Sequence, residues 1–158
     1  MNVRILPVAA AILALAGCDV IDEIQPSDPV PVPISSLRVD DLREARDNLD
    51  PWDQDGTGPD VFIEIQNTAG AGIGRTNVIA DADVSQTLSF TFDELPEAPD
   101  DDARLYLVAF DQDGDDLSTA ESMGSSVSFS VEDLRAAQGG LVLEAARPNL
   151  ETVFGLNE

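Results

Sequence analysis

Leu105-Tyr106-Leu107-Val108-Ala109-Phe110 runs straight into Asp111-Gln112-Asp113-Gly114-Asp115-Asp116. A short apolar run closed by a turn signal is the pattern of a buried strand, and this one spans about Arg104 to Phe110. The turn that ends it is nearly all carboxylate. The same tetrapeptide stands at Asp53-Gln54-Asp55-Gly56, just ahead of a second apolar run, Val61 to Gln66. Clustered carboxylates on short, glycine-containing loops suit a hard cation such as calcium, which takes six to eight oxygens at about 2.3–2.6 Å. Gly56, Gly58 and Gly114 admit the tight turns such loops need.

Outward from these two runs, short alternating segments recur with turn signals between them. Leu88, Phe90 and Phe92 alternate with Ser89 and Thr91, and Val127, Phe129 and Val131 alternate with Ser126, Ser128 and Ser130. Strands of this kind have one buried and one wet face. Seven are expected: Leu37 to about Asp47, Val61 to Gln66, Arg75 to Ala80, Thr87 to Asp93, Arg104 to Phe110, Ser125 to Val131 and Leu141 to Ala145. The tail from Asn149 to Leu156 offers an eighth, and Leu134 to Gln138 a single helical turn. The expected fold class is all-β, an antiparallel eight-stranded sandwich over residues 35–158.

If successive strands run antiparallel, odd-numbered connections share one end of the sandwich. The first holds Asp50, Asp53, Asp55 and Asp60, the third Asp81 and Asp83, and the fifth Asp111, Asp113, Asp115, Asp116 and Glu121. Three acidic loops therefore converge. Among the even connections only Glu94 to Asp102 is strongly acidic.

The N-terminus carries its own signal. Met1 to Arg4 is positively charged, and Ile5 to Ala16 is apolar except at Pro7, too short a run to span a bilayer, which takes about 20 residues. Leu15-Ala16-Gly17-Cys18 resembles the lipobox of bacterial lipoproteins. That resemblance implies removal of residues 1–17 as a signal peptide and diacylation of Cys18, the sole cysteine. Residues 18–34, with Pro26, Pro29, Pro31 and Pro33, read as an extended tether from the lipid. The expected location is the cell envelope, lipid-anchored and facing the periplasm. Asp19 resembles the inner-membrane retention signal of enteric bacteria, which tilts the choice between inner and outer membrane without deciding it.

Cleavage would leave 141 residues, one domain's worth. They carry seven arginines against 31 acidic residues, a net charge of −24, with no lysine and no histidine. No basic patch is available for nucleic acid. The same composition fits a salt-adapted or GC-rich bacterium, so acidity alone does not make a site.

The segment from Leu37 to Leu134, about two-thirds of the chain, resembles the C2 domain, a calcium- and phospholipid-binding β-sandwich. Its first signature is matched by Asp40-Asp41-Leu42, the Asp53-Gln54-Asp55-Gly56-Thr57-Gly58 loop and Asp60-Val61-Phe62-Ile63. Arg75-Thr76-Asn77-Val78-Ile79 resembles the strand that follows. Leu88-Ser89-Phe90-Thr91-Phe92 stands where the family has a strand beginning with Trp, which is missing here. The second signature is matched by Leu105 to Asp113 and by Glu121-Ser122-Met123-Gly124. Carried over, the calcium ligands implied are Asp53 or Asp55, with Asp60, from one loop. The other loop implies Asp111, Asp113 and Glu121, with Asp116 competing for the last role. The chain departs from the pattern by one extra residue between Asp53 and Asp60, by Pro59 preceding Asp60, and by two extra residues between Asp113 and Glu121.

Trp52, the only tryptophan, borders the first acidic loop and has two readings: packing beneath that loop, or contact with a membrane interface. Tyr106 and Phe110 read as core. With no histidine and its one cysteine acylated, the chain offers no nucleophile–base pair, and a non-enzymatic function is expected. The leading expectation is a lipid-anchored domain whose calcium-loaded loops dock on phospholipid headgroups or an envelope protein. The alternative is a metal-independent β-sandwich adaptor in an envelope complex.

Overall fold

The computed structural model describes residues 28–40, 42, 45–46, 50–53, 55–114, 117–137, 140–144 and 153–157. Its elements are β1 (Val30–Pro31), β2 (Ser36–Asp40), β3 (Val61–Asn67), β4 (Gly72–Arg75), β5 (Leu88–Thr91), β6 (Glu97–Ala98), β7 (Leu105–Asp111), a 3-10 turn (Leu117–Thr119), β8 (Glu121–Ser125), α1 (Val131–Ala136), β9 (Leu141–Glu144) and β10 (Val153–Asn157). Eight strands of four residues or more form two four-stranded antiparallel sheets, ordered β5-β2-β10-β9 and β4-β3-β7-β8. This is the expected eight-stranded all-β sandwich.

The two inner faces meet in one core. Leu37, Val39, Leu88 and Phe90 supply one side, and Ile63, Ile65, Leu105, Leu107 and Ala109 the other. The alternation in β5 is as the sequence implies, with Leu88 and Phe90 buried and Ser89 and Thr91 exposed.

Several boundaries move, each for a local reason. The third strand lies at Gly72–Arg75 rather than Arg75 to Ala80. Past it Thr76 is buried, its hydroxyl accepting the Ile63 N–H at 3.0 Å, and the chain crosses to bridge Phe92 of the other sheet. The sixth strand lies at Glu121–Ser125, not Ser125 to Val131. Ser126 turns inward, fully buried, and its hydroxyl accepts the Leu107 N–H at 3.0 Å; Val127 is thereby left exposed. Ser130 then caps α1 through a reciprocal pair with Asp133, which starts the helix three residues before the expected turn. Tyr106 and Phe110, expected in the core, lie on the outer face of β7, where Phe110 stacks on Phe62 at 5.3 Å.

The expected boundary between tether and domain at residue 34 also shifts. β1 pairs with β6, and Val32 and Ile34 are completely buried in the core, so the domain begins no later than β1. The apolar leader, Cys18 and the tether up to Ser27 lie outside the described residues.

Register fixes the two ends of the sandwich. Asp40, Val61 and Asp111 stand at one end, where the connections after β2, after β4 and after β7 meet. The connection carrying β6, together with α1, occupies the opposite end, about 20 Å away along seven-residue strands. There Asp101, from the one acidic loop that broke the pattern, pairs with Arg135 of α1 at 2.6 Å.

Candidate metal centre

Asp60 joins the three acidic connections. Its backbone N–H donates to Asp111 Oδ1 at 3.1 Å, and its carbonyl accepts the Gln112 N–H at 2.9 Å. Its own carboxylate accepts the Asp81 N–H at 2.9 Å, with Asp81 in the left-handed region at φ 49°. Alongside, the Ala82 N–H reaches Pro59 O at 2.8 Å. Gly58 makes this contact fit, since a Cβ there would sit 2.3 Å from Ala82 O.

Within that frame Asp53, Asp111 and Asp113 each present a carboxylate oxygen, all within 4.8 Å of one another. Asp111 has no exposed surface, and its Oδ2 has no hydrogen-bond partner among the described residues. A buried anionic oxygen without a donor is costly, and native structures rarely keep one without reason. Two like charges 4 Å apart repel by about 1 kcal/mol in water and by more where water is excluded. The titration behaviour follows from this crowding. Burial, then the charges of Asp53 and Asp113, push Asp111 up from 3.8 to about 6. Burial, then Asp113, also raises Asp53. Such a trio fits a divalent cation: its oxygens are hard, its charge is in excess, and the orphaned Oδ2 has a lone pair free for a metal. Asp53, Asp111 and Asp113 would hold the ion.

The other expected ligands are placed differently. Asp55 is exposed and accepts from the Thr57 N–H at 3.0 Å and the Thr57 hydroxyl at 2.8 Å, and these bonds lower its pKa. Asp60 gives one carboxylate oxygen, Oδ1, to the Asp81 N–H and is not one of the three clustered acids. Glu121, on β8 rather than in a loop, pairs with Arg46 at 2.6 Å. Asp116 lies outside the described residues.

Arg46 is the residue that sequence reasoning missed. Its backbone N–H donates to Asp50 O at 3.0 Å, within a small loop closed by the Ala45–Pro51 bridge. Its Nη1 reaches Pro51 O at 3.1 Å, and Nη2 stands 3.6 Å from Asp113. Its guanidinium lies over the Trp52 ring, 5.5 Å from the centroid. Two arginines, Arg43 and Arg46, standing among the acids between Asp40 and Asp60 were the available signal. Trp52 itself is buried in the core cluster with Arg46 over its ring, which agrees with the packing reading of the two and leaves the indole little surface for a membrane.

Among solved structures, BON1-C2B superposes with a TM-score of 0.52 at 14% identity, covering 77% of this chain and 85% of that one. The chain has a C2-like fold. A structure holding both C2 domains of extended-synaptotagmin 2 matches with a TM-score of 0.46 and 18% identity over 99% of this chain and 49% of its own length. No protein-family model matches, and neither does any curated protein. In this C2-like sandwich Asp53 comes from one of the two loops named by the sequence resemblance, and Asp111 and Asp113 from the other. The third acidic connection contributes Asp81 to the joint with Asp60 and none of the three clustered carboxylates.

Proposed function

We propose that this chain is a lipid-anchored protein of a bacterial envelope whose C2-like domain binds calcium through Asp53, Asp111 and Asp113. The loaded loops then dock on a phosphate-bearing lipid or a protein partner. The observation that carries the reading is Asp111 Oδ2, a fully buried carboxylate oxygen without a partner among the described residues, set against two further carboxylates. Leu117 adds support, being an exposed apolar residue on the 3-10 turn of the same acidic end. The role proposed is binding: Asp53, Asp111 and Asp113 offer hard oxygens and excess negative charge to a cation. Cys18 would carry the acyl chains, and the membrane would hold the domain near its target at raised effective concentration. Calcium is needed for docking on anionic lipid because a domain this acidic is otherwise repelled.

A second reading, the metal-independent adaptor, draws on Arg46, which neutralises part of the acidic end without any ion. Thermal unfolding of the full chain in detergent separates the two. The calcium reading expects a rise of several degrees in millimolar calcium over EDTA, with a smaller rise in equal magnesium. Identical melts in all three would favour the adaptor. Metabolic labelling with a palmitate analogue, lost in Cys18→Ser, tests the anchor separately.

A further inference from the structure

Four carboxylates of the acidic end fall into two groups that share Asp113. Asp53, Asp111 and Asp113 form the group with the orphaned oxygen, and Asp113 with Glu121 forms the group already facing Arg46. Arg46 is held there from several directions: by its backbone N–H to Asp50 O, by Nη1 to Pro51 O, and by the Trp52 ring beneath. Its side chain is 21% exposed, whereas its partners Asp113 and Glu121 are 44% and 49% exposed, so the cation is the better-buried member of the pair. A planar guanidinium seated on an aromatic ring loses little freedom on pairing, which makes it a fixed charge rather than a wandering one.

Charge counting gives this arrangement a consequence. Asp53, Asp111, Asp113 and Glu121 carry −4 when ionised, and Arg46 reduces this to −3. One divalent ion in the Asp53–Asp111–Asp113 group leaves −1. The carboxylates left to a second ion within the set, Asp113 and Glu121, are already engaged by the guanidinium, at 3.6 and 2.6 Å. We infer that Arg46 is the resident counter-cation of the acidic end, occupying the position between Asp113 and Glu121 so that the site takes one calcium ion and not two. The inference rests on the calcium reading above and adds to it the capacity of the site and the residue that sets it.

Calcium binding to the full chain in detergent, counted by native mass spectrometry and by equilibrium dialysis with calcium chloride alone, tests it. The expected count is one ion for the wild type, two for Arg46→Gln, and one again for Arg46→Lys, which restores a cation. A count of one in Arg46→Gln, or of two in the wild type, overturns the inference and leaves the calcium reading standing. Binding by none of the three removes the calcium reading and this inference with it. A wild-type measurement covers the case in which Arg46→Gln does not fold. The Nε–H resonance of Arg46, assigned by its loss in Arg46→Lys, should persist at saturating calcium; its collapse into exchange with water would show the ion displacing the guanidinium and overturn the inference.

Discussion

The backbone N–H of Asp60 donates to Oδ1 of Asp111 across 51 positions of sequence, and this bond leaves Oδ2 of the same carboxylate buried with no donor among the described residues. One oxygen of Asp111 therefore serves the fold while the other burdens it. Asp111→Asn keeps an acceptor for Asp60 and removes the buried charge. Without calcium the variant should be more stable than the wild type at pH 7, by about 1–2 kcal/mol, because a neutral amide beside Asp53 and Asp113 replaces a crowded anion. Urea unfolding in EDTA checks the gain, and calcium should no longer shift the midpoint. A loss of stability in EDTA would mean that the charge is compensated and the site misread.

The same carboxylate sets a pH dependence. Its pKa in the folded chain is raised from 3.8 to about 6, so between those values the folded state holds more protons than the unfolded one. Stability of the calcium-free chain should then fall as pH rises from about 4 to 6, by up to about 3 kcal/mol from this group, and stay low above. Calcium affinity should move the opposite way, weakening below pH 6 as the proton competes for Asp111. Parallel melts at pH 4.5, 6 and 7.5, spanning roughly the range in which this group titrates, with and without calcium, read both trends.

Gly58 is where the first and third acidic connections touch. Alanine would place a Cβ 2.3 Å from Ala82 O and 2.9 Å from the Asp81 carbonyl carbon, which only a shift of backbone relieves. Gly58→Ala should destabilise by about 1–3 kcal/mol and loosen the Asp60–Asp81 hydrogen bond. Amide hydrogen exchange at Asp81 and Ala82 should quicken; unchanged protection there would show that the loops do not depend on this contact.

Trp52 is part of the core and the platform under Arg46. Trp52→Ala should cost about 3–5 kcal/mol, the range for deleting a large buried aromatic. A membrane-inserting tryptophan would behave in the reverse manner, leaving the melt alone and lowering vesicle binding.

Ile34 tests where the domain starts. It is completely buried, and Ile34→Ala should lose about 2–5 kcal/mol. A chain cut to begin at residue 35 would lose Val32 and Ile34 together and should melt far below the full chain. An equal melt would return these residues to the tether.

Much of the fold was legible because alternation and turn residues report directly on which face of a strand is buried. The Leu88–Phe92 stretch was read on that basis, the continuous apolar run Leu105–Phe110 showed a strand but not that Tyr106 and Phe110 face outward, and antiparallel counting was enough to bring three acidic loops to one end. Where the reading slipped, a single side chain had replaced a ladder bond. The Thr76 and Ser126 hydroxyls take backbone N–H groups from the neighbouring strand. Each lets the chain leave the pleat without leaving a donor unsatisfied, and the periodicity of the flanking residues does not register it. Val32 and Ile34 were hidden by their prolines, which mark extended chain equally well in a tether and at a sheet edge. At the site, sequence gathered the acids but not their division. Which carboxylate meets an N–H, which meets Arg46 and which meets neither depends on loop geometry that composition does not encode.

The pairing of β1 with β6 sets the direction in which the molecule bears load. Residue 28 enters beside β6, at the end away from Asp53, Asp111 and Asp113, and the chain then climbs through β2, an interior strand bonded to β5 on one side and β10 on the other. Tension between the N-terminal segment and anything held at the acidic end therefore runs along β2. Once the two-residue β1–β6 clasp has peeled, further extension must shear both ladders at once rather than unzip one bond after another. Pulled lengthwise, the domain would yield first at the two-residue clasp and last at β2.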